Sequence, residues 1–419
     1  MTGLNMQSIT LSIDQARKLT LAQQLLAKHP NAPGNKEGVL QTIEHLGYVQ
    51  IDTISVVRRA HHQTLWTRVP DYCPDVLHEL QSSDRKVFEY WGHAMSYLPM
   101  SAYRYHIKRM HNFHHPSSPW AKMQYEKSKD ILDSVLKRIR DEGPLSTRDF
   151  QSGPKRGQGW WDWKPAKVAM EVLFWRGDLM ITGRRNFQKI YDLTERVLPP
   201  DIDTTQPPDE EIATYIIKTA LRSMGLAMEG DIQRFLQPES SRDADMRLVS
   251  KETIRKSIQT LLERGELLQV ELKKHGHVYY TLPGVVAQLE ALPELSDRVF
   301  FISPFDNLIV QRDRIQWLFN FKYALECYMP EAKRICGYFV MPILWGNRFV
   351  GRMDPKAVRS TKTLLIRRLM FEADFRVSNQ FMSAFTEAVK GFASFNGCDS
   401  IAFEQVESDR VRQMLRKYF

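Results

Sequence analysis

Apolar residues fall into two rhythms along this chain. From the N-terminus to about residue 286, stretches with helical spacing alternate with short alternating runs; beyond that point, short apolar runs separated by turns dominate. The first rhythm recurs three times, each time as a helix, a turn, a second helix closed by glycine, and then apolar or alternating residues. The junctions are Glu44-His45-Leu46-Gly47-Tyr48-Val49, Phe174-Trp175-Arg176-Gly177-Asp178-Leu179-Met180 and Leu262-Glu263-Arg264-Gly265-Glu266-Leu267-Leu268. A glycine just past a helical run marks a left-handed helix stop.

In the second segment the spacing predicts helices over residues 131–139 and 164–175, with a short helix opening at Ser146 or Thr147. A strand–turn–strand follows over 177–193, its tip at Gly183-Arg184-Arg185-Asn186. In the third, helices are expected over 211–221 and 253–263 with a short one near Asp231. Strands over 267–272 and 278–282 are joined by Lys273-Lys274-His275-Gly276-His277. Helices followed by a β-hairpin describe a winged helix-turn-helix. The first segment fits more loosely: helices over 13–27 and 38–46 lead into a strand from Tyr48 to Val57. The expected architecture is α+β: three tandem winged helix-turn-helix domains, then a β-rich, barrel-like C-terminal domain. The expected boundaries are 1–120, 121–203, 204–286 and 287–419, with residues 204–210 as a linker.

The strand of the first segment carries Gln50-Ile51-Asp52. Side chains two apart on a strand share a face, so Gln50 and Asp52 are expected to project together while Ile51 turns to the core. The alternative for Asp52 is a helix cap, since Asp52 and Thr53 stand before a possible helix.

Composition adds a partner. The 419 residues hold 58 Lys and Arg against 49 Asp and Glu, a formal charge of +9, which favours a polyanion such as nucleic acid. The basic residues cluster: Arg58 and Arg59 follow the motif, Arg184 and Arg185 sit at one hairpin tip, Lys273 and Lys274 at another. All six are expected to meet DNA phosphates. Trp160, Trp161 and Trp163 either stack on exposed bases or pack as core. The four cysteines have no metal spacing and the histidines lack a completing carboxylate, so neither metal nor cofactor is expected. No apolar run approaches the ~20 residues of a membrane span, and Met1–Leu11 lacks a signal-peptide pattern. A cytoplasmic protein without membrane contact, and a monomer, is expected.

Longer matches carry a resemblance. Leu46-Gly47-Tyr48-Val49-Gln50-Ile51-Asp52-Thr53-Ile54, Glu89-Tyr90-Trp91-Gly92-His93-Ala94, Gly159-Trp160-Trp161-Asp162-Trp163-Lys164-Pro165 and the run from Arg184 to Thr194 appear in order. Ser303-Pro304-Phe305-Asp306, Leu325-Glu326-Cys327-Tyr328, Gly337-Tyr338-Phe339-Val340 and Val350-Gly351-Arg352-Met353-Asp354 follow. With these the chain resembles the YcaQ/AlkZ-like bacterial DNA glycosylases, within them the YcaQ (AlkX) branch, which carries Gln-x-Asp where another branch carries Gln-x-Gln.

The resemblance implies a DNA clamp of three winged helices and a β-barrel, excision of N-alkylated purines, and unhooking of interstrand crosslinks. Gln50 and Asp52 are then the catalytic pair, with His93 in support. In that branch an acidic residue often follows this histidine, whereas Ala94 stands here. A purine alkylated at N7 or N3 is cationic and already leaves well. The enzyme must stabilise an oxocarbenium-like sugar and deliver water. Asp52 is suited to both tasks and Gln50 to holding the water. No lysine is placed as a Schiff-base nucleophile, so a monofunctional glycosylase on double-stranded DNA is expected. The rival reading is a non-enzymatic tandem winged-helix regulator or repair scaffold, which binds DNA without releasing bases.

Overall fold

The computed structural model describes residues 8–27, 33–151, 163–237, 244–273, 276–291, 295 and 297–419. Strand β1 (Ser8–Leu11) leads into α1 (Ile13–Gln23), whose first turn is closed by a Ser12/Gln15 capping box. Then comes α2 (Lys36–Leu46), β2 (Val49–Gln50), α3 (Ala60–Trp66), α4 (Pro74–Ser82), β3 (Val87–Trp91) and β4 (Met95–Pro99). The sheet order is β2-β4-β3. Helices α5 (Ile107–His114) and α6 (Pro119–Glu126) connect to α7 (Leu132–Glu142), β5 (Leu145–Ser146), a 3-10 turn at Asp149–Gln151, α8 (Trp163–Trp175), β6 (Leu179–Arg185) and β7 (Gln188–Leu193). That sheet has the order β5-β7-β6. After α9 (Thr194–Val197) come α10 (Asp209–Met224), α11 (Glu229–Phe235), α12 (Lys251–Glu263), β8 (Leu268–Leu272) and β9 (Val278–Thr281). Here an isolated bridge from Ala227 to Tyr280 takes the place of the short first strand.

One element order, helix–strand–helix–helix–strand–strand, thus appears three times, with the short strand always against the last. This alignment shifts the phase of the repeat. Gly47 corresponds to Gly143 and Gly225, which end the first helix of their units. It does not correspond to Gly177 and Gly265, which end the third. Glycine closes helices at both places with positive φ, so the helix-stop signal alone could not tell them apart. Strand β1 is parallel to β8 and extends the third sheet, not the first.

The C-terminal part holds α13 (Pro283–Val286), β10 (Val299–Phe301), α14 (Arg312–Phe319), β11 (Met341–Trp345), β12 (Arg348–Val358), β13 (Thr363–Phe371), α15 (Asn379–Phe395), β14 (Ser400–Val406) and α16 (Asp409–Tyr418). Its five strands run β10-β11-β12-β13-β14 in an open sheet; the expected barrel does not close. Strand β14 lies parallel to β13, reached through α15. That helix buries Phe381, Phe385 and Phe392 with Phe301 and Phe371 around them. Aromatic side chains from a crossover helix fill the space that strands would otherwise wrap.

Buried polar groups tie this part to the first unit. Arg68, before α4, donates to both carboxylate oxygens of Asp306 (2.7 and 2.8 Å), with both side chains fully buried. Asn307 donates to the Tyr48 carbonyl at 2.9 Å. Asp306 and Asn307 thus anchor the first unit, Asn307 at the residue just ahead of the strand that carries Gln50.

Candidate active site

Strand β2 is held by pairing of Val49 with Tyr97 and of Gln50 with Ser96, and the Ile51 N–H still donates to the Met95 carbonyl at 2.8 Å. Ile51 is buried with Val39, Ile43, Leu46 and Val49, so Gln50 and Asp52 fall on the other side of the strand. Gly47, which leads into it, has φ +80, and a β-carbon there would lie 2.4 Å from Thr219 of α10. Only glycine meets both demands.

The strand expected to continue to Val57 stops here. Asp52 Oδ2 accepts the Ile54 N–H at 2.9 Å, an Asx turn that ends the ladder. The loop then crosses to the C-terminal part. The Val56 carbonyl accepts from Ala357 of β12 (2.7 Å) and the Ser55 carbonyl from Arg359 (3.1 Å). Val57 and Ala60 join the core around α15. Helix α3 begins at Ala60 behind Arg59, so Asp52 caps no helix.

Asp52 is only 7% exposed. Burial raises its carboxyl to about 6, against the Ile54 and Thr53 N–H groups and the Arg59 charge, which pull it down. Such a group is mostly ionised at neutral pH yet poorly solvated. Its charge is felt across the gap: after burial, it is the next cause raising the Cys327 thiol, and it also raises the Tyr328 phenol. Tyr328 is 74% exposed. Gln50 Oε1 is buried and accepts no hydrogen bond from the described residues.

His93 sits at the β3–β4 turn on the same sheet. Its ring stacks on Tyr48 with centroids 6.3 Å apart, and its Nδ1 lies 3.2 Å from the Arg234 carbonyl of α11. It joins the first unit to the third.

The six basic residues separate. The Arg58 N–H donates to Asn396 Oδ1 (2.7 Å) and its Nε to the Phe395 carbonyl, while its head stays exposed. Arg59 lies with its guanidinium carbon 3.6 Å from the Phe187 ring centroid. Arg184 turns inward: it donates to both oxygens of buried Glu89 (2.7 and 2.5 Å) and does not offer its head to solvent. The cause is Glu89, a carboxylate on a buried strand, which binds the nearest cation. Arg185 and Lys273 are exposed; Lys274, Trp160 and Trp161, and the Trp163 side chain, lie outside the described residues.

Sequence reasoning passed over three groups here. Phe187 carried a signal, an aromatic where a tight hairpin turn takes glycine. Arg359 carried none. Glu326 and Asp354, quoted within longer matches, hold backbone: Glu326 Oε2 accepts from Cys336 and Gly337, and Asp354 from Tyr338 and Phe339. Gly337 has φ +144 with the Asp354 carboxylate against its α-carbon. Arg352 pairs with Glu372 at 2.7 Å. Among the described residues, no three His, Cys, Asp or Glu converge to hold a metal, and no helix is long and apolar enough to cross a membrane.

This mixed α+β chain, with a largely buried acid at the seam of two cores, matches proteins that cut bases from DNA. The model of the DNA glycosylase AlkZ-like family matches residues 43–395. The chain belongs to the AlkZ-like DNA glycosylase family. Its fold is similar to that of Streptomyces sahachiroi DNA glycosylase AlkZ, with a TM-score of 0.62 at 15% identity, covering 95% of this chain and 100% of that one.

Proposed function

We propose that this glycosylase hydrolyses the N-glycosidic bond of N-alkylated purines in double-stranded DNA and unhooks interstrand crosslinks. Asp52 accepts a proton from water and opposes the charge of the oxocarbenium-like sugar; Gln50 holds that water. The observation that carries this reading is a buried, ionisable Asp52 on the same side as a buried Gln50 oxygen that no donor among the described residues occupies. A single carboxylate suffices because the alkylated base is already a good leaving group. An aspartate as the second member of the motif supports a place in the YcaQ branch. A crosslinked base cannot swing freely, and Asp52 lies where the loop of the first unit crosses to the C-terminal part, a seam that suits such a substrate.

In this reading the three repeated units are winged helices that grip the duplex, with Arg58, Arg185 and Lys273 on phosphates. The protein acts as a monomer in the cytoplasm. With water as nucleophile the enzyme is monofunctional, and borohydride traps no covalent adduct.

The test is single-turnover release of N7-methylguanine from an oligonucleotide. Asp52→Asn keeps the fold and DNA binding and lowers the rate by at least ~100-fold, the usual weight of a general base. Wild-type excision by Asp52→Asn would sink the proposal, and absence of lesion-dependent product from the wild type would favour a binding protein.

A further inference from the structure

Phe187 stands where a hairpin of its kind takes glycine. Arg185 pairs with Gln188, so Asn186-Phe187 is a two-residue turn, and both residues have positive φ, 50° and 66°. Such turns favour Asn-Gly, and an aromatic residue in this region is strained. Strain of this sort persists only where the surroundings impose it.

The surroundings are arginines. The Phe187 ring centroid lies 3.6 Å from the guanidinium carbon of Arg59 and 4.3 Å from that of Arg184. The His61 ring is nearly parallel at 6.0 Å. Arg184 is locked by Glu89 and donates to the carbonyl of Phe187 itself at 2.9 Å. Arg59 has no such lock. Its Nε is buried and donates to no described residue. It faces the cations Arg184 and Arg359, which repel it, and Tyr97 and Asp52, which favour its charge. A ring face pressed on the guanidinium holds the head against that repulsion.

We propose that Phe187 is a positioning residue: its ring, reaching across from the second unit, holds the Arg59 guanidinium within electrostatic reach of the Asp52 carboxylate. The chemistry of the first unit then depends on a hairpin of the second. This rests on the reading of Asp52 as the catalytic base. The groups that face Asp52 are the Thr53 and Ile54 N–H groups, Arg59, Cys327 and Tyr328. Arg59 is the cation among them that the ring controls.

The experiment uses the full chain with three variants. Phe187→Gly makes the turn Asn-Gly, which relieves the strain and removes the ring. Phe187→Leu keeps bulk but lacks the aromatic face, and Phe187→Tyr keeps both. Carboxyl 13C titration with labelled aspartate, the Asp52 signal assigned through Asp52→Asn, reads the midpoint without using activity. Without the ring, the Asp52 midpoint rises by roughly half a unit. Single-turnover excision then falls about two-fold at pH 6, where ionisation is partial, and is unchanged at pH 8. The Tyr variant behaves as wild type. An unmoved or lowered midpoint in the Gly and Leu variants overturns the proposal, as does a Tyr variant that shifts like them. Should Asp52→Asn excise normally, the catalytic reading fails while the titration still decides whether Phe187 holds Arg59.

Discussion

The β6–β7 and β8–β9 hairpins look alike in sequence: each follows the last helix of its unit and each places two adjacent basic residues at its tip. In the structure they behave differently. The β6–β7 tip packs on the first unit, with Arg184 buried against Glu89, Gln81 donating to both Glu89 and the Ile181 carbonyl, and Phe187 wedged beside Arg59. The β8–β9 hairpin instead pairs on its outer side with β1, a strand largely open to solvent, and Lys273 remains exposed. Adjacent basic residues state a charge, not a direction. What decides direction is whether a buried carboxylate lies in reach, because an unpaired charge in the interior costs far more than a surface contact returns.

The largest expected effect separates the hairpins by stability. Arg184→Ala leaves Glu89 buried without its cation and should cost about 3–5 kcal/mol, read by denaturant unfolding. Adding Glu89→Gln should recover much of the loss, since the pair acts as a unit. Lys273→Ala should leave stability within about 0.5 kcal/mol. If Arg184→Ala instead keeps its stability and loses DNA affinity, the two hairpins are equivalent and the comparison fails.

A smaller effect concerns the loop on which the docked hairpin bears. Asp52 has a folded-state value near 6, above the ordinary carboxylate value of 3.8. The folded state therefore binds protons more tightly than the unfolded chain between those values. This contribution to stability is present at low pH and is lost as pH rises from about 4 through 6. Asp52→Asn should accordingly be more stable than wild type at pH 7.5, by about 1 kcal/mol after allowance for solvent screening. The gain should vanish below pH 4, as thermal melts at the two pH values will show. Excision by the wild type should rise through pH 6 as the carboxyl ionises. A gain that persists at pH 4 would mean that Asp52 is not the source.

The fold was legible where local rules govern. Helix stops at glycine, the basic hairpin tips and the alternation that buries Ile51 all follow from spacing. The phase of the first repeat was not, because Gly47 obeys the same stop rule as Gly177 while ending a different helix. The barrel was not, because α15 closes the sheet's face through long-range aromatic packing that no window of sequence displays. For the site, Gln50 and Asp52 were visible as residues, but the burial of Asp52 depends on a loop crossing to β12 and α15, some three hundred residues away. Arg184 misled for the same reason: its partner Glu89 stands 95 positions earlier.

The smallest effect isolates the free hairpin. If Lys273 meets a DNA phosphate, its removal releases about one fewer counterion on binding. The slope of log affinity against log salt should then flatten by about 1, with affinity lowered equally for all sequences. The loss should be a few-fold at moderate salt, about 1 kcal/mol, and the excision rate of bound substrate should not change. Arg185→Ala, at the exposed position beside the docked Arg184, should behave in the same way, because exposure and not the hairpin determines the outcome. Fluorescence anisotropy across a salt series measures both slopes. A slope that flattens for Lys273→Ala but not for Arg185→Ala would show that docking withdraws the whole β6–β7 tip from DNA, not Arg184 alone.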